Sequence, residues 1–320
     1  MVAAQLGCTA APPASDQQPV QLRMVGTEPA ASLVAAFERR VPGIRVTLTQ
    51  TASPIAAVQA IERGDTDLGV AFADAAYTAH VLNGAASRLR AMAALNVAPL
   101  FLLVHPDSGI RRLADLPGHT VRLSGGRNPD DPRFRLPFRA PDAGQGVSPD
   151  GAVSSLSELV IGAFGLRPSG LQIRDVAPPA QGLAALRAGS LQAYFTSAPS
   201  DDLVREATGW GARLVPIEGR EVDDLRLRYP FVQHVRIPAH TYPGQNSTLH
   251  TVGVGLVLVC RADLDPALIY QLTRAFIQEL EQLSGRDPIL SRIRLERTPV
   301  TPIPLHAGAA RFYREWELFR

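Results

Sequence analysis

The chain has 320 residues, 46% of them hydrophobic and 19% charged, with 32 basic against 30 acidic side chains and a net charge of +2. Such a length predicts two lobes or domains with ample material for a core, and the composition makes no case for disorder. The charge balance argues against a dedicated nucleic-acid binder; because every basic residue is Arg, a Walker-type phosphate loop and lysine Schiff-base or pyridoxal-phosphate chemistry are excluded.

In chain order, the first feature is Leu6-Gly7-Cys8, followed by the small, proline-containing tract Thr9 to Asp16. This resembles the end of a bacterial lipoprotein signal, which makes Cys8 a candidate lipidation site and residues 1–19 a tether. An unmodified, ragged N-terminus is the alternative, since no basic region and no full apolar run precede Cys8. From Val20 strands and helices alternate. Strands are expected at 20–25, 44–49 and 68–72, with helices at 29–40, 54–63 and 73–82. That β-α-β-α-β order predicts a parallel, doubly wound sheet. A long apolar stretch, Leu89 to Val104, ends at the turn Pro106-Asp107-Ser108-Gly109.

The alternation then restarts, with strands expected at 120–123, 171–176, 193–196 and 213–217 and helices at 153–164, 179–188 and 199–207. The apolar run Thr251 to Cys260 reads as a buried strand with Cys260 as a small core residue, and Pro266 to Leu283 reads as a helix. A last helix carries Phe312, Tyr313, Trp316 and Phe319. Together these predict an α/β clamshell. Residues 20–104 with 248–320 form one lobe and 105–247 the other, joined by extended segments near 100–106 and 248–260. No stretch offers the roughly 18 uninterrupted apolar residues of a transmembrane helix. Residues 127–149 hold five Pro and four Arg without period. They read as a long loop beside the cleft, with Phe134 and Phe138 among its arginines; a mobile surface loop is the plainer alternative.

Enzymatic signals are missing. There is no Gly-x-Ser-x-Gly elbow and no His-Glu-x-x-His, and the seven histidines are scattered. Two cysteines cannot build a cysteine-rich metal site, so neither a metal nor a cofactor is expected. Asp65 and Asp67 read as a loop entering a strand. What stands out is a set of small or polar residues where strands end and helices begin: Thr27, Ser53, Asp74, Ser124, Gly151-Ala152 and Thr196-Ser197. The carboxyl ends of strands face the ligand crevice of an open α/β sheet, and helix N-termini there offer unpaired N–H groups. Any one of these residues is explained equally well as a helix cap.

Several strings carry a family resemblance: Asp115-Leu-Pro-Gly118, Tyr229-Pro-Phe231, Ile237-Pro-Ala-His-Thr-Tyr-Pro-Gly-Gln245, Thr251-Val-Gly-Val254, Arg261-Ala-Asp-Leu264 and Pro304-Leu-His-Ala-Gly-Ala-Ala-Arg-Phe-Tyr313. In order and separation they resemble the TAXI family, the extracytoplasmic solute-binding subunits of TRAP-type transporters, from about Val20 to Tyr313. The resemblance implies a periplasmic-binding-protein-like (type II) fold. It implies a non-enzymatic protein that closes on a small organic acid or amino-acid-like ligand and docks a membrane permease. A monomer outside the cytoplasm, free or lipid-tethered, is expected. The same clamshell could instead present its closed form to a sensory receptor or kinase; an enzyme on the fold is the remote alternative.

The family's ligand positions carry over unevenly. Its glycine-rich opening is cut to Gly26-Thr27-Glu28-Pro29, and its Gln before Ala-Asp is Phe72, with Ala73-Asp74 kept. Its Gly-Ser-Gly-Thr helix start corresponds to Asp150-Gly151-Ala152-Val153. Glu28 is placed to satisfy a helix dipole where a ligand carboxylate would otherwise bind. Phe72 and Tyr77 are expected as apolar walls.

Overall fold

The structure, a computed structural model, describes residues 19–26, 29–51, 56–123, 156–166, 170–174, 179–197, 202–284 and 293–318. The chain opens as its pattern predicts, with β1 (Val20–Gly26), α1 (Ala30–Arg40), β2 (Ile44–Gln50), α2 (Ala56–Arg63) and β3 (Leu68–Phe72). The three strands are parallel, with Val20 opposite Ile44 and Met24 opposite Leu68. Leu33, Ala36 and Phe37 form the buried stripe of α1, at the spacing that puts them on one helical face.

α3 (Ala73–Asn83) leads to β4 (Leu89–Val104), then to β5 (Thr120–Arg122), α4 (Leu156–Ala163), β6 (Gln172–Ile173), α5 (Pro179–Arg187), β7 (Ala193–Ser197), α6 (Asp202–Gly209) and β8 (Arg213–Val215). Two elements absent from the sequence expectations follow, α7 (Arg220–Arg228) and β9 (Val232–Ile237). The chain finishes with β10 (Leu249–Arg261), α8 (Pro266–Ser284) and α9 (Ala307–Leu318). The proline-rich stretch 127–149 lies outside the described residues.

The strands run in the order β2-β1-β3-β10-β4-β7-β5-β6, with β8 also beside β4 and β9 beside β10. Two long strands hold this sheet together. β4 lies along β10 from Leu89 to Pro99, then pairs with β7 from Leu100 to Val104 and also with β8 from Leu102 to Val104. β10 pairs with β9 from Leu249 to Val254 and with β3 from Leu256 to Cys260. Both therefore change partners at the same level of the sheet. One half of the sheet is covered by α1, α8 and α9 on one face and by α2 and α3 on the other. The other half is covered by α4 and α7 on one face and α5 and α6 on the other.

Polar locks fix the helices to this frame. Glu279 of α8 is fully buried and takes the guanidinium of Arg39 at 2.6 Å and that of Arg40 beside it, both from the last turn of α1. Asp67, 6% exposed, accepts the Arg23 backbone N–H at 2.8 Å and the Arg261 guanidinium at 2.9 Å, tying β1, β3 and β10 at their far end. That confirms Asp67 as a structural loop acid. α9 crosses α8 so closely that a Cβ on Gly308 would lie 2.2 Å from the Pro266 carbonyl oxygen.

Candidate functional site

The proposed strand-end positions divide into two groups. Thr27, Glu28, Ser53, Ser124, Gly151 and Ala152 lie outside the described residues, as does Cys8. Of the rest, Phe72 ends β3 and is partly buried, and the next residue opens α3. Asp74 sits in the first turn of that helix, and its Oδ1 accepts the Ala75 N–H at 2.8 Å. Loss of hydration raises its carboxyl above the ordinary aspartate range. An acid at a helix N-terminus is favoured by the dipole, yet here burial outweighs that help.

Tyr77, one turn further, packs against other aromatic rings. Its ring centroid lies 5.5 Å from that of Phe231, which in turn lies 5.5 Å from that of Tyr229. This chain of rings joins α3 to the entry of β9. Across the sheet, Thr196 is buried near the end of β7 and hydrogen-bonds the Tyr194 side chain. Ser197, exposed, sits opposite Leu100, just past the point where β4 changes partners. The structure thus brings Phe72, Asp74 and Tyr77 to one helix start and Thr196 and Ser197 to a second strand end.

Arg122 is a residue that sequence reasoning missed. It ends β5, is only 6% exposed, and holds its guanidinium carbon 4.7 Å from the centre of the Tyr194 ring. α5 makes room for it with Gly182, where a Cβ would meet the Arg122 Cδ at 3.0 Å. A glycine inside a helix is the one signal that could have pointed to a tightly packed neighbour. The cation–π stack fixes a permanent positive charge at a strand end.

A groove of about 860 Å³ lies against the crossover itself. Its floor is the middle of β4 and residues 255–257 of β10; β9 and the following turn form one wall, residues of the 293–302 segment the other, and Ala73 closes one end. Its size is in the range of small-molecule sites. None of Phe72, Asp74, Tyr77, Thr196 or Ser197 lines it.

Other conspicuous residues are structural. Gln245 ends the Thr-Tyr-Pro-Gly-Gln string, and its amide nitrogen donates to the carbonyls of Ile237, Pro238 and Ser247 at 3.0–3.4 Å. His306, buried, accepts the Gly308 N–H through Nδ1 at 3.2 Å. Cys260 is fully buried, and burial pushes its thiol far up, which makes it a core residue rather than a nucleophile. Among the described residues, no three His, Cys, Asp or Glu side chains gather as metal ligands, and no helix is long and apolar enough to cross a membrane.

Solved structures share this architecture. The periplasmic sulfonate-binding protein SsuA from Methylobacillus flagellatus KT is 16% identical over 84% of this chain and 70% of its own, with a TM-score of 0.51. XAC2383 from Xanthomonas citri, bound to ATP, is 14% identical over 93% of this chain and 96% of its own, also at 0.51. The periplasmic aliphatic sulphonate binding protein SsuA from Escherichia coli is 18% identical over 94% and 92%, at 0.48. The first two establish the fold as the α/β, type II periplasmic-binding-protein architecture. Residues 40–131 match the NMT1/THI5-like family. Residues 146–316, more than half of the chain, match the NMT1-like family, and to that family the protein belongs.

Proposed function

We propose that the protein is an extracytoplasmic solute-binding protein that captures a small organic acid or amino-acid-like ligand between its two halves and delivers it to a TRAP-type membrane permease. The observation that carries this reading is the paired crossover. β4 and β10 exchange partners at one level, so the halves are tied by two adjacent strands that can bend together, a hinge arrangement. Phe72, Asp74, Thr196 and Ser197 stand at strand ends on either side, with Thr27, Glu28, Ser53, Ser124, Gly151 and Ala152 as the remaining proposed contacts. Arg122 supplies a fixed positive charge suited to an acidic group.

The TRAP-type partner rests on the TAXI-like strings, above all Thr241 to Gln245 and Pro304 to Tyr313. An ABC-type permease is the second reading, favoured by the fold shared with the Methylobacillus flagellatus KT protein SsuA, described as the periplasmic sulfonate-binding protein of a sulfonate ABC transporter. Cys8 would serve as a lipid anchor outside the cytoplasm. Native mass spectrometry of the purified protein tests the reading. A small molecule that co-purifies and is released on denaturation supports it; a protein that neither co-purifies with nor binds any small solute refutes it. Cross-linking in membranes then separates the partners, since a multi-helix permease is expected and a receptor kinase would favour the sensory role.

A further inference from the structure

We propose that the groove over the β4–β10 crossover is itself a binding site, for an organic monoanion with an apolar body. Several of the side chains that line it can donate: Asn96, Gln233, Arg236, Arg294 and Arg297. Asn96 is 7% exposed and lines the groove. Its Oδ1 accepts the Val97 N–H at 2.7 Å, and no described residue accepts from its amide nitrogen. That nitrogen is not one of the buried polar atoms left without a partner, so it opens on the groove and is free to donate to an occupant. Gln233 stands across the floor, and its Nε2 comes within 3.3 Å of where a Cβ on Gly255 would be. Its Oε1 accepts from the Arg297 guanidinium at 3.3 Å, which leaves the amide nitrogen as the donor facing the groove floor.

Charge points the same way. Arg236, Arg294 and Arg297 line the groove, and among the described residues no acidic side chain does. Asp223 of the adjoining α7 is engaged by the His234 ring at 3.0 Å, and no described carboxylate pairs with Arg294 or Arg297. A site built from amide donors and guanidinium groups selects a carboxylate, sulfonate or similar oxyanion. Between those groups the walls are apolar, formed by Leu95, Val97, Val235, Leu256, Val300 and Pro302. They suit a hydrocarbon or aromatic body.

The site is separate in its residues from the strand-end positions, and it stands whether or not the protein feeds a transporter. Because β4 and β10 both contribute its floor, an occupant touches both crossing strands at once. Binding there is thereby coupled to any motion of one half of the molecule against the other.

Isothermal titration with hexanoate, hexylammonium and hexan-1-ol tests the proposal on the full-length protein. Hexanoate is expected to bind and hexylammonium not to. Asn96→Leu and Arg297→Ala are each expected to weaken hexanoate about tenfold while melting within a few degrees of the parent. Arg297 is exposed at the rim, so that variant stays informative if Asn96→Leu misfolds. Absence of hexanoate binding, equal binding of hexylammonium, or hexanoate affinity unchanged in the Arg297 variant would overturn the proposal. Hexanoate binding that is lost in Asp74→Asn but kept in the groove variants would also overturn it, while leaving the solute-binding reading intact.

Discussion

The ring of Tyr77 packs 5.5 Å from the ring of Phe231, and this contact joins α3 to the segment that enters β9. Tyr77 stands on α3 behind β3; Phe231 leads into β9, whose partner is the other end of β10. Phe231 is almost fully buried, so Phe231→Ala should cost about 3 kcal/mol of folding stability. Tyr77→Leu should cost about 1 kcal/mol. Urea unfolding of both single variants and the double variant should give a coupling energy of about 0.5–1.5 kcal/mol. Additivity would mean that the rings are neighbours without being partners.

Asp74 carries a cost at neutral pH. Its carboxyl titrates above the ordinary range because burial disfavours the charged form. Between the unfolded and the raised folded value, the native state holds a proton that the unfolded chain has lost, so stability falls as pH rises through that interval. Asp74→Asn should therefore melt higher than the parent at pH 7, and the gap should shrink toward pH 4. If Asp74 also meets the solute, the same variant should bind it more weakly. A variant less stable at pH 7 would show that the carboxylate is better solvated than its burial implies.

Two histidines act in the opposite sense. Burial lowers the pKa of both His80 and His306; His80 Nδ1 is buried without a hydrogen-bond partner. Below about pH 6.5 the unfolded chain takes up protons that these native rings refuse. The melting temperature should fall between pH 7 and pH 5.5. His80→Gln should make that fall shallower, and an equally steep fall in the variant would remove His80 from the explanation.

Gly308 and Gly162 make a matched pair. An alanine at 308 drives its Cβ into the Pro266 backbone and should cost about 2–3 kcal/mol through displacement of α9 from α8. Gly162, inside α4, has nothing within 4 Å of the position its Cβ would take. Gly162→Ala should add about 0.5–1 kcal/mol. Thermal denaturation of the two variants under one condition compares them directly.

Much of this architecture was legible in the residues. The early βαβαβ order and the strand β10 fall within a few positions of where the residues put them, and β4 coincides with the long apolar stretch 89–104, which carried no strand assignment of its own. α7 was not legible, because Arg220 to Arg228 is mostly charged and buries only Val222 and Leu225. β9 was hidden for a different reason. Its run Val232 to Ile237 buries only its two end residues, and it sits between Pro230 and Pro238, a frame that reads as loop. The groove was less accessible still. Gln233 and Arg297 meet across 64 residues of sequence, and only the pairing of Gly253 with both Gln233 and Pro99 brings Asn96 toward them. Arg122 needed the helix glycine opposite it to be recognised as a packed charge.

Small-angle X-ray scattering, with and without the co-purified solute, tests the hinged solute-binding reading most directly. For a compact chain of this length the radius of gyration is about 20 Å. Saturation with solute should reduce it reproducibly, as the halves close about residues 94–100 and 253–256. A radius unchanged at saturation would contradict a closing clamshell.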